Sequence, residues 1–236
     1  MRTSPSAVAA PAGAQLYAWR ERVRDPSLTA LLIIQICVIF VAAPLAALGL
    51  PWARPIGEAL VLVLVLIVVM LSNSRGAIVA IVVGLGAILA HLILVENPTV
   101  FTNVFPRGGS ILTFAALTWV VARAVYAPGR VTLHRVQGAV VLYLNFAIIF
   151  ASAYRLMWDL IPTAFANLSA PESGFSQIDT MLYFSFTTLT TTGFGDITPV
   201  HPFARSLTNL EAIIGQLYPA TILARLVTLE LEHRRR

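Results

Sequence analysis

The chemistry of this chain is concentrated in Thr187-Thr188-Leu189-Thr190-Thr191-Thr192-Gly193-Phe194-Gly195-Asp196. The run is rich in threonine and closes on Gly-Phe-Gly-Asp. Glycine at alternate positions permits backbone conformations that point successive carbonyls the same way, which residues with a Cβ resist. Thr191 adds a hydroxyl beside that row. A short stack of carbonyl oxygens replaces the water shell of a dehydrated cation. One such strand covers only one side of an ion, so several chains are required around an axis. A tight turn between two helices is the plain alternative for Gly-Phe-Gly-Asp. The flanks speak against it, since irregular backbone at lipid depth is tolerated only when buried in protein or lining a water-filled path.

The elements that must position this run are apolar helices. Of 236 residues, 58% are hydrophobic and 11% charged, a balance that belongs to an integral membrane protein. The 16 basic residues are all arginine and give a net charge of +5. They sit at the ends of apolar segments rather than in a patch, so the charge serves topology and not nucleic acid. Cys37 is the only cysteine, so no intrachain disulfide is available. No cluster of His, Cys, Asp and Glu has catalytic or metal-ligand spacing, and no enzyme or cofactor is expected.

The reading is an all-α membrane protein with six transmembrane helices and both termini in the cytoplasm. Residues 1–27 form a cytoplasmic tail, 28–127 a four-helix scaffold, 128–135 a basic linker and 136–236 the pore module. The spans are expected at Leu28–Leu50 (bent by Pro44), Ile56–Leu71, Gly76–Val95, Gly108–Ala127, Val136–Leu160 and Pro202–Leu231. Pro51 to Pro55 reads as a turn, Glu96 to Arg107 as an exposed loop, and Pro162 to Gly174 as a polar loop. Phe175–Thr190 is too short to span, so it is a re-entrant helix. This topology places 12 arginines inside and four outside, as the positive-inside rule requires.

Residues 136–236 resemble the pore module of the tetrameric potassium-channel family: helix, pore helix 175–190, filter 191–196, inner helix 202–231. Thr191-Thr192-Gly193-Phe194-Gly195 matches the family's TVGYG filter, with Thr192 for Val and Phe194 for Tyr. The resemblance implies potassium at the carbonyls of Thr191, Thr192, Gly193, Phe194 and Gly195, as permeant ion rather than cofactor. It implies a homotetramer among membrane lipids, and the compact chain with its Ala/Arg-rich, lysine-free composition suggests a bacterial inner membrane. Asp179 and Thr180 open the pore helix, where an acid favours the helix dipole. Tyr183 and Phe184 match an aromatic pair behind the filter, and Asp196 matches the aspartate that bonds to it, so Tyr183 is the expected partner. Thr187 stands where some members carry glutamate, so a carboxylate at that position is missing. Gly215, 20 positions after Gly195, matches a gating-hinge glycine, with Pro219 one turn on; close helix packing also accounts for a small residue there.

The first four helices are expected to be a non-sensing scaffold. A voltage sensor carries a ladder of arginines through its fourth helix. Here Arg123 rides near one end while Arg107 and Arg130 flank the helix. Glu58 and His91 read as interfacial. The function expected is passive, potassium-selective conduction. The rivals are a poorly selective cation channel, a subunit of a potassium transporter with repeated pore loops, and a non-conducting membrane scaffold.

Overall fold

The computed structural model describes residues 27–72, 78–79, 81–82, 85–86, 100–126, 133–168 and 174–234. The tail, most of Gly76–Val95 with His91, and Arg130 lie outside them. The first helix, α1, covers Ser27–Ala47 and contains a π-turn over Val38–Ala42, in which the Ala43 N–H reaches back to the Val38 carbonyl. Pro44 explains the turn. In a regular helix its ring would press on the Phe40 carbonyl four residues back, and it has no N–H to offer. One wider turn relieves both.

Helix α2 covers Ala53–Leu71. Arg54 and Pro55, read from sequence as part of a turn, lie in its first turn. A proline is tolerated there because its missing N–H has no intrahelical partner anyway. Helix α3 covers Val100–Val125. Pro106 and Arg107 are therefore helical, which corrects the exposed loop expected up to Arg107. Helix α4 covers Leu133–Leu160, so Arg135 belongs to it rather than to a linker and is buried. Helix α5 covers Gly174–Leu189 and α6 covers Pro202–Arg234. Asp179 consequently lies in the second turn of α5, not at its opening, where a dipole effect has already faded.

Between α4 and α5 the chain is not featureless. Strand β1 (Phe165–Ala166) pairs antiparallel with β2 (Thr198–Pro199), just past the threonine-glycine run. The Ala164 carbonyl accepts from both Val200 N and His201 N, so the end of α4 and the start of α6 are stapled together.

Two apolar cores result. One joins Leu28 and Leu31 of α1, Leu64 and Val68 of α2, Leu117 and Val121 of α3 and Leu142 of α4, with Tyr218 and Ile222 of α6 packed on it. The other surrounds Tyr154 with Phe165, Met181, Phe184 and Ala204. Polar side chains tie α1 to α4 as well. Thr29 Oγ1 lies 2.7 Å from His134 Nδ1 and donates to Gln137 Oε1 at 2.5 Å. Gln35 Nε2 donates to Asn145 Oδ1 at 2.8 Å, with both residues buried.

Among the described residues, three helices are long and apolar enough to cross a membrane: Ser27–Ala47, Gly108–Val125 and Leu133–Leu160. Helix α6 has the length, 33 residues, but interrupts its apolar sequence with Asn209, Glu211 and Gln216.

Candidate functional site

Helix α5 ends at Leu189, and its last turn hands the chain to the motif through backbone bonds. Thr190 N bonds to Phe186 O and Thr191 N to Thr188 O. The Thr187 carbonyl then accepts from two successive residues, Thr192 N at 2.8 Å and Gly193 N at 3.1 Å. Beyond it, φ is positive at alternate positions: Thr191 at 56°, Gly193 at 53° and Gly195 at 79°. Glycine adopts such values freely. Thr191 does not, and a β-branched residue at positive φ is an outlier held by its surroundings. All six residues from Thr191 to Asp196 are exposed in the single chain.

The side chains around the run divide the work. Tyr183 Oη donates to Asp196 Oδ2 at 2.7 Å, and its ring stacks on Phe194 with centroids 6.3 Å apart and planes 4° from parallel. Phe184, the other half of the expected pair, packs elsewhere. It meets Tyr154 at 4.9 Å and Phe165 at 5.5 Å, both edge-on, in the core behind α5. Thr187 Oγ1 bonds back to Phe184 O. Thr192, the departure from Val, has its hydroxyl 2.9 Å from that of Thr190, which donates in turn to Phe186 O.

The inner helix α6 meets this assembly through one stripe, Glu211, Gly215 and Tyr218, spaced to share a helix face. Gly215 is pressed against the end of α5. A Cβ there would lie 2.7 Å from the Leu189 carbonyl carbon and closer still to its oxygen. The same oxygen accepts from Tyr143 Oη of α4 at 3.1 Å. Tyr143 stacks on Tyr218 with centroids 5.9 Å apart, and Tyr218 Oη donates to Ala139 O at 2.8 Å. Close packing thus gives Gly215 a reason to be glycine independent of any hinge. Pro219 lies inside α6, next to Tyr218.

His201 caps α6. Its Nδ1 accepts the Phe203 N–H at 3.3 Å and its ring stacks on that of Phe203. Two residues that the sequence reading passed over emerge here, Glu211 and Tyr143. The signal for Glu211 was present, since an ionisable residue inside a helix expected to span is costly and marks function.

The Tyr183 hydroxyl, together with the Ile197 N–H, holds the Asp196 carboxyl below the usual carboxylate range. A lowered value means the bond favours the ionised form, which persists above the ordinary carboxylate range and is lost as pH falls through the lowered value. Tyr183→Phe is expected to move the acid-induced loss of ion flux to higher pH. Overlapping acid titrations of flux in the two proteins would refute the bond's role.

With this geometry in hand, comparison with known proteins is informative. Residues 139–231 match the family described as ion channel. Over 119 residues the chain is 32% identical to Protein LctB of Bacillus caldotenax, covering 49% of this chain and 85% of that protein. The chain belongs to the ion-channel family. It is also 34% identical over 70 residues to Potassium voltage-gated channel protein shk-1 of Caenorhabditis elegans. That similarity takes in 30% of this chain and only 13% of the worm protein. No solved structure matches. The ion-channel match begins in α4 and ends in α6, so it takes in the motif, Glu211, Gly215 and Tyr218. All of α1 to α3 lies outside it.

Proposed function

We propose that the chain is one subunit of a homotetrameric, passive, potassium-selective channel without a voltage sensor. The observation that carries this reading is the backbone from Thr191 to Gly195. Its alternating positive φ, anchored on the Thr187 carbonyl, supports a carbonyl row able to take the place of an ion's water shell. One strand cannot enclose an ion, and the exposed apolar side chains Leu210, Ile213 and Leu217 along α6 suit burial against a neighbouring subunit. The similarity to a potassium channel protein over 70 residues points the same way.

In this reading six helices cross the membrane, α5 is re-entrant, and both termini face the cytoplasm, where most arginines then fall. Potassium sits at the carbonyls of Thr191, Thr192, Gly193, Phe194 and Gly195. Tyr183, Thr187 and Asp196 support the filter, while Gly215 and Pro219 form the point where α6 bends on gating. Helix α3 carries Arg123 in its last turn and Arg107 in its first half, not the closely spaced ladder that several gating charges require.

The test is current recorded from purified protein in a bilayer under opposed potassium and sodium gradients. The reversal potential is expected near the potassium equilibrium value, with a shallow conductance–voltage curve. A reversal midway between the two ions would replace this reading with a poorly selective cation channel. A steep curve would show that α3 senses voltage.

A further inference from the structure

Glu211 is fully buried, 0% exposed, in the middle of α6's contact with the pore helix. Its Oε2 accepts from Tyr154 Oη of α4 at 2.6 Å. Its Oε1 is in hydrogen-bond contact with Ser185 Oγ of α5. Ser185 Oγ also bonds to the Ala147 carbonyl of α4 at 2.8 Å. Counting protons decides who donates. A serine hydroxyl has one proton and a carbonyl oxygen only accepts. Tyr154 spends its single proton on Oε2. Ser185 has one proton for Ala147 O and Glu211 Oε1, and both contacts become full hydrogen bonds only when the carboxyl carries a proton of its own. Neither hydroxyl partner carries a positive charge, and a buried carboxylate without one is costly. Among the described residues, Tyr154 of α4 is the titratable group bonded to Glu211, Tyr143 of α4 interacts with it electrostatically, and α5 faces it with Ser185.

We propose that Glu211 is held as a neutral carboxylic acid, donating from Oε1 to Ser185, which donates to the Ala147 carbonyl, and that this relay positions the pore helix between α4 and α6. Ser185 stands two residues before Thr187, whose carbonyl holds Thr192 N and Gly193 N, so a displaced Ser185 displaces the filter's anchor. The register continues one turn on, where Gly215 meets Leu189. Glu211 is a positioning residue rather than an ion ligand.

The role in conduction rests on the channel reading above; the protonation does not. The test uses the whole chain in lipid vesicles, by infrared spectroscopy and by potassium flux. The unmodified protein is expected to show the carbonyl band of a protonated carboxylic acid at neutral pH, and Glu211→Gln to lack it. The glutamine amide is neutral, donates to Ser185 and accepts from Tyr154, so E211Q keeps flux within about twofold of the unmodified protein. Glu211→Ala loses the relay, and flux falls by about tenfold, the scale of one or two net hydrogen bonds. Absence of the band overturns the proposal. So does a loss in E211Q as large as in E211A, which would mean that the negative charge matters. Should E211A fail to fold, E211Q and the band still decide. The band without any potassium flux in the unmodified protein would uphold the protonated acid and refute the channel reading instead.

Discussion

Gly215→Ala is expected to abolish ion flux and to lower thermal stability in the same protein. The added methyl has no room, because the Leu189 carbonyl occupies its place. Overpacking a tight contact costs about 1–3 kcal/mol, and more when the obstacle cannot swing aside. A main-chain carbonyl at the end of a helix, also bonded to Tyr143 Oη, has little freedom to yield. Relief must come from parting α6 and α5, which drags Leu189 and the filter behind it. Gly108→Ala is the control, since its Cβ meets nothing within 4 Å among the described residues. The two roles for Gly215 separate here. A glycine needed only to let α6 bend would tolerate alanine with its melting temperature intact and lose gating alone. A variant with unchanged flux and unchanged melting would refute the close approach.

Gly193→Ala and Gly195→Ala should behave differently, each losing potassium-over-sodium discrimination while melting nearly as before. An added Cβ meets nothing within 4 Å at either position among the described residues, so no clash is involved. The cost is conformational. Positive φ costs an L-residue with a Cβ about 1–2 kcal/mol, so a fourfold pore bears about 4–8 kcal/mol, all at the filter. The backbone is expected to relax towards negative φ and turn carbonyls off the axis. Permeability ratios from reversal potentials measure this. Selectivity preserved in both variants would contradict the assignment of Thr191–Gly195 as the ion path.

Much of this arrangement was legible because it is local. Pro202 marks the start of α6, since a proline suits a first helical turn. The register from Tyr183 to Asp196 spans 13 residues on continuous elements, and the bond between the two residues follows from it. What escaped depends on contacts between distant segments or on backbone detail. Arg135 looks like a linker charge until α4 is seen to start at Leu133. The π-turn before Pro44 is one of several answers to a proline in a helix. Glu211 is one acid among the mainly apolar residues of the inner helix until α4 and α5 bring Tyr154, Ser185 and Ala147 around it. The pairing of β1 with β2 joins two short segments that carry little strand pattern of their own. Phe184 was placed beside the filter, yet adjacent helix residues face different neighbours, and here the tyrosine took the filter side alone.

The bonds between α1 and α4 bear on how far this chain divides into parts. By motif, a pore module begins near α4 and a scaffold precedes it. By packing, the described residues show no such seam. Asn145 of α4 finds its partner in Gln35 of α1, and Gln137 finds Thr29. A pore cut free of the first helix would turn the amide of Asn145 towards hydrocarbon, where an unsatisfied polar group costs several kcal/mol. It would also strip Leu28 and Leu31 from the core on which Tyr218 of the inner helix rests. Modularity in this protein is a property of its sequence pattern; mechanically, the first helix is one piece with α4 and α6.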